Sequence, residues 1–213
     1  MKNTVILMFL LSLSGCNNKL QQEFSVVKTV PISEEYRLKK GLNSSICVFL
    51  AKTSTGQEQY SKMASHSLAR VLQRDDKNDT ILSFADFSNK IKKEDLFSEF
   101  NSLSSFYKTS GMLKYQELKI IREKIGVDYF IIPGVLNLSR VEEGRFSAAG
   151  VKLLSTQKVC LVVDMEIWDK QGYFVFGASS DITMSDERWE ENPISLEEAF
   201  EHAWQSIINE INK

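Results

Sequence analysis

Ten residues, VCLVVDMEIW, constrain this chain more than any other stretch. Val159, Leu161, Val163, Met165 and Ile167 fall on one face of an extended strand, and Cys160, Val162, Asp164, Glu166 and Trp168 on the other, because successive strand side chains point to opposite sides. Such alternation predicts a strand whose first face is core and whose second is mostly wet, so the chain must build a sheet. The turn Asp169-Lys170-Gln171-Gly172 follows. Phe174, Phe176, Ala178, Ile182 and Met184 then line one face of the next strand across a polar stretch at Ser180, which makes a hairpin.

The preceding segments alternate strand and helix. The apolar run SSICVFLAK, Ser44 to Lys52, has strand length and reads as buried on both faces. Tyr60, Met63, Ala64, Leu68, Val71 and Leu72 recur at helical spacing, and TILSF, Thr80 to Phe84, reads as a second strand, so the three form a βαβ unit. Leu96, Phe97, Phe100, Leu103 and Tyr107 mark another helix, and Tyr115 to Ile125 a third that ends at Gly126. VDYFIIPGVLNLSRV is a strong strand in which Pro133-Gly134 marks a bulge or an edge. Ser195-Leu196-Glu197-Glu198 is a capping box, opening a helix striped by Leu196, Ala199, Phe200, Ala203, Trp204, Ile207, Ile208 and Ile211. The fold class is therefore α/β. It is a single domain over 44–213 with a mixed β-sheet, an N-terminal βαβ unit, antiparallel hairpin strands, and packed helices ending in a C-terminal amphipathic helix.

The N-terminus carries a different message. Lys2 precedes an apolar run from Val5 to Leu13 that is too short to cross a hydrocarbon core of roughly 30 Å, the pattern of a signal peptide. Leu13-Ser14-Gly15-Cys16 resembles the bacterial lipobox. That resemblance implies cleavage after Gly15 and a Cys16 that becomes an N-palmitoyl, S-diacylglycerol cysteine. By the family's sorting convention Asn17, which is not aspartate, implies the outer membrane, facing the periplasm. Residues 1–15 are then the signal peptide and 16–43 a lipidated tether with one local strand around FSVVKTVPI.

Formal net charge is -2, and loss of Lys2 with the signal peptide makes it -3, with both signs well mixed. No nucleic-acid partner is implied, since a phosphate-binding surface needs a basic excess. With Cys16 acylated, Cys47 and Cys160 remain. They can pair if adjacent strands bring their Cα atoms within about 7 Å; the alternative is two buried free thiols.

Two stretches carry a likeness to a known family. The helix leading into Gly126-Val127-Asp128-Tyr129-Phe130-Ile131, and the strand ending Ile167-Trp168-Asp169 before Gly172, resemble periplasmic lipoproteins that include the curli-secretion lipoprotein and the penicillin-binding-protein activators. Their domain is similar to the N-terminal domain of the Tol translocation protein. The resemblance implies a non-enzymatic accessory or assembly lipoprotein that binds another envelope protein. The runner-up reading is a ring-forming secretion component resembling the curli-secretion lipoprotein, with this chain as a homo-oligomer; an envelope hydrolase with an unrecognised site is a third.

No catalytic motif and no cofactor-binding pattern stands out, so no catalytic, cofactor or metal residue is assigned. His66 and His202 each read as solvated helix residues. Asp164, Glu166 and Asp169 alternate along one strand, either as carboxylates able to converge on a cation or as a solvated face and turn. Asp186, Glu187, Glu190 and Glu191 around Trp189 read as an acidic docking patch or a solvated loop. RFSAAGVKLL, 145–154, reads as a binding or oligomerisation loop or a mobile hairpin tip.

Overall fold

The computed structural model describes residues 21–30, 44–75, 79–148, 151–188 and 194–211. Seven strands form one mixed sheet: β1 (Gln21–Val30), β2 (Ser45–Val48), β3 (Lys52–Thr53), β4 (Thr80–Leu82), β5 (Tyr129–Ala148), β6 (Val151–Asp169) and β7 (Phe174–Arg188). Their order is β1-β7-β6-β5-β2-β4, with β3 also pairing to β5. The β4, β2 and β5 strands are parallel, and β5, β6, β7 and β1 antiparallel. Five helices pack on the sheet: α1 (Ser61–Asp75), α2 (Phe84–Lys93), α3 (Phe97–Ser110), α4 (Tyr115–Ile125) and α5 (Leu196–Ile211). The expected α/β class and C-terminal helix are both present.

One face carries the larger core. Val159, Leu161, Val163, Met165 and Ile167 are all fully buried there, against Phe200, Trp204, Ile207 and Ile208 of α5 and Leu68 and Val71 of α1. Each such side chain contributes about 1.5–3 kcal/mol of burial free energy. Trp204 is wholly buried, and its indole Nε1 donates to Ala64 O at 3.2 Å and to Ser67 Oγ at 3.1 Å, which fixes α5 across α1. Met63, expected in the α1 stripe, is instead 37% exposed.

The opposite face is wet only in part, in keeping with the two-sided burial expected for Ser44 to Lys52. Over β4, β2 and the start of β5, a second core joins Phe49, Phe87, Ile91, Leu103, Leu118, Ile121, Phe130, Ile132 and Trp168 beneath α2, α3 and α4. Helix α2 was not expected at all. Ser83 supplies its N-cap, the hydroxyl accepting from Asp86 N at 3.2 Å, and Phe87 and Ile91 supply its buried face. Helix α4 ends as expected, with Gly126 at φ 76° and its N–H donating to Arg122 O at 2.7 Å.

Two strand details differ from expectation. Register passes through Pro133 and Gly134 without a shift; the bulge comes one step later, between Val135 and Asn137. Pro133 lies within an interior strand, where β2 has left β5 after Ile131 and β3 rejoins it only at Gly134. A second bulge pairs Ile167 with Phe176 but Trp168 with Phe174. It carries Phe174 to the Trp168 side, with ring centroids 5.0 Å apart. Of the two readings of 145–154 the hairpin is the one seen: β5 and β6 pair on to Ala148 and Val151, with register shifts between Gly144 and Phe146 and between Phe146 and Ser147.

Strand β1 overlaps the local strand expected around FSVVKTVPI within the tether, but it pairs with β7, so the sheet starts at Gln21 and not at Ser44. Phe24 and Val26 hold register positions opposite buried Ile182 and Ser180. Cys47 pairs in register with Phe130 and Cys160 with Ser139, nine positions apart along β5. At about 3.3 Å per residue that separation forbids the disulfide, and both thiols are free.

Candidate functional site

Where the second core ends, the sheet face turns polar around one lysine. Lys52, on β3, reaches over Gly134 so that its ammonium lies 3.0 Å from Asp164 Oδ2 and 2.7 Å from Glu166 Oε1. Tyr107 on α3 donates its hydroxyl to Glu166 Oε2 at 2.7 Å, and Trp168 Nε1 donates to the same oxygen at 3.1 Å. The Lys52 ammonium also lies 5.9 Å from the centroid of the Tyr107 ring. Alternation along β6 places the two carboxylates on this face, and β3 brings the cation that neutralises one of them.

Gly134 is what makes room for the arrangement. A Cβ there would lie 1.8 Å from Asp164 Oδ1, so only glycine lets the carboxylate approach the β5 backbone. That oxygen is buried and has no hydrogen-bond partner. Burial by itself would lower the Lys52 pKa, but hydrogen bonds and charge from Glu166 and Asp164 outweigh it and hold the ammonium above the usual lysine range. Burial, followed by the Glu166 contact, pushes the Tyr107 phenol well up.

Next to this polar base is an exposed apolar patch. Tyr173 is 67% exposed and Met112 54% exposed, with Phe174 and Phe106 also at the surface. The β6–β7 turn bears on the α3–α4 connection, since a Cβ at Gly172 would meet Leu118 Cδ2 and Leu113 O. Trp168 stands behind the patch, edge-on to Tyr107 at 6.4 Å and tilted against Phe174. Aromatic side chains held on a fixed base are what protein interfaces use as anchors. In sequence Phe174 falls in the core stripe of its strand, and only the bulge at Val175 moves it to the Trp168 side; Tyr173 precedes the strand in the turn.

The remaining candidates are distributed elsewhere. Asp169 accepts from Gln171 N and Tyr173 N, so it shapes the turn and does not join Asp164 and Glu166. Among the described residues no group of three His, Cys, Asp or Glu side chains is placed to hold a metal ion. His66 lines a cavity of about 460 Å³ between α1 and α2, with Lys62, Ser83, Ser88 and Asn89. His202 lies 3.7 Å from Glu198. Trp189, Glu190 and Glu191 lie outside the described residues, as do Cys16 and Asn17. No described helix is long and apolar enough to cross a membrane.

Fold and site together define a layered mixed α/β domain with an aromatic surface patch on a salt-bridged base. No protein-family model matches the sequence. No curated protein matches it. Among solved structures the chain is similar to the PelC dodecamer from Paraburkholderia phytofirmans, at 12% identity over 89% of this chain and 97% of that one, with a TM-score of 0.45. It is also similar to lipoprotein GNA1162 from Neisseria meningitidis, at 12% identity over 79% and 98% with a TM-score of 0.37. The C-terminal domain of LpoB from Salmonella enterica matches at 12% identity over 65% and 82%, with a TM-score of 0.36.

Proposed function

We propose that this chain is a lipid-anchored accessory protein of the bacterial envelope that binds another envelope protein and catalyses no reaction. Cys16 is its acylated N-terminus, Asn17 directs it to the outer membrane, and the domain faces the periplasm. The observation that carries the binding role is Phe174, at the surface yet packed on Trp168, which Tyr107 and the Lys52–Glu166 pair hold in turn, with Tyr173, Met112 and Phe106 exposed on the adjoining turn and helix. A rigid apolar surface of this kind gains affinity because little side-chain freedom is lost on docking.

Two substitutions test the parts separately. Cys16→Ser releases the protein from the membrane fraction; unchanged fractionation contradicts the anchor. Tyr173→Asp leaves the melting temperature within about 2 °C, as expected for an exposed site, but abolishes co-purification of the partner retained by the native protein. Undiminished co-purification contradicts the patch.

A further inference from the structure

We propose that the cavity between α1 and α2 is a binding site for a small organic anion, one that carries a phosphate or carboxylate group beside an apolar part. The site stands apart from the aromatic patch. It lies past the carboxyl end of β2, whereas the Tyr173 turn lies past the amino end of the same strand.

Topology puts the cavity where the parallel part of the sheet opens. Strands β2 and β4 are adjacent and parallel, yet the chain leaves them toward opposite faces. Helix α1, the first α-helix after β2, buries Leu68 and Val71 in the larger core, and α2, which follows β4, buries Phe87 and Ile91 in the second. Two neighbouring parallel strands whose helices part in this way leave a crevice outside their carboxyl ends, and such crevices are where open α/β sheets bind ligands. Hydrogen bonds fix its rim. Ala51, shortly past β2, donates its N–H to Ser65 Oγ at 2.7 Å and accepts from Ser61 Oγ at 2.5 Å, while Ser83, directly after β4, caps α2. The space between the helices holds about 460 Å³, within the range of roughly 300–1,000 Å³ that small-molecule sites occupy.

The lining has one sign of charge. Lys62 and His66 stand one turn apart on α1, and Asn89 lines the same cavity from α2. Among the described residues none of these three finds a hydrogen bond or an ion pair. The hydroxyl protons of the wall, by contrast, are already committed: Ser65 donates to Ser61 O at 2.9 Å, Ser88 to Phe84 O at 2.7 Å and Ser83 to Asp86 Oδ2 at 2.6 Å. What stays open to a ligand is an ammonium, an imidazole and an amide, each able to donate. No carboxylate lines the cavity, and Asp86, on the first turn of α2, is bonded to Ser83 outside it. An anionic oxygen therefore finds charge-assisted donors that the protein itself leaves unused, whereas a cation meets like charge. Phe84 and Ala85 add an apolar wall, which accommodates a ring or hydrocarbon beside the charged group.

The test titrates the full chain with phenyl phosphate, with benzoate and, as the neutral control, with benzyl alcohol, following backbone amide NMR signals. Signals of Lys62, His66, Ala85 and Asn89 move and saturate for at least one of the two anions, with a Kd below about 5 mM. The tighter anion tells a phosphate ligand from a carboxylate ligand. Benzyl alcohol leaves the same signals in place. Lys62→Ala combined with His66→Ala weakens the binding by at least about tenfold, as loss of a charge-assisted hydrogen bond should. Both side chains are exposed, so the amide spectrum elsewhere is retained; Lys62→Gln alone repeats the titration if the double variant does not fold. Lys119→Gln, on α4, binds as the native chain does. Failure of both anions to saturate, equal binding of benzyl alcohol, or native affinity in the Lys62 and His66 variants overturns the site.

Discussion

Lys52, Asp164, Glu166 and Gly134 show how much can depend on single residues in this sheet. Replacing Lys52 by methionine leaves two half-buried carboxylates side by side, one of whose oxygens already lacks a partner. The expected cost is on the order of 1 kcal/mol, because both groups keep partial access to water. Gly134→Ala forces Asp164 off its position and costs about 1–3 kcal/mol. Adding Asp164→Ala to it recovers part of that loss, which a double-mutant cycle of denaturant melts reads directly. The lysine also predicts an alkaline limit. Its folded pKa is raised, so its stabilisation is complete below the unfolded value near 10.4 and lost as pH climbs through the folded value. Tyr107 acts in the same sense, because its folded pKa is raised and the unfolded phenol ionises first, near pH 10. The melting temperature should fall above about pH 10, and Lys52→Met should flatten that fall. Parallel curves for the two proteins would contradict the pairing.

At the scale of elements, what was legible in the sequence was whatever alternation or helical spacing could encode. The buried face of β6, the stripe of α5 and the glycine stop of α4 all appear where expected, since each is a local pattern with one physical cause. Helix α2 was missed because ten residues with only Phe87 and Ile91 buried carry too short a stripe, although Ser83 and Asp86 hold the capping signal. The placement of Phe174 depends on a bulge, and the salt-bridged base depends on β3 pairing beside β2; neither is a local property. The local strand in FSVVKTVPI is legible, but its membership of the sheet is not, because its partner, β7, lies some 150 residues away. Ser83→Ala tests the capping argument: it should cost about 1 kcal/mol, and a smaller loss than a few tenths in urea unfolding would count against it. Trp204→Ala should cost about 3–5 kcal/mol, because it removes both the packing and the two hydrogen bonds that lock α5 onto α1.

For the whole molecule, β1 sets an axis. Its ten residues span about 33 Å, the proposed acylation site precedes its first residue in sequence, and Tyr173 lies beyond the level of Gly177, which pairs with its end. If Cys16 is acylated as proposed, the domain presents Tyr173 and Phe174 at the end of the sheet opposite to the start of β1. The central claim is that this patch engages an envelope protein while the chain stays anchored. It is tested most directly by a photo-crosslinking residue at Tyr173 in living cells, with the same residue at exposed Lys119 as control. The account predicts one discrete heteromeric adduct from position 173, none from 119, and loss of the adduct on Phe174→Asp or Cys16→Ser. No adduct from a membrane-bound protein, or the same adducts from both positions, would contradict it.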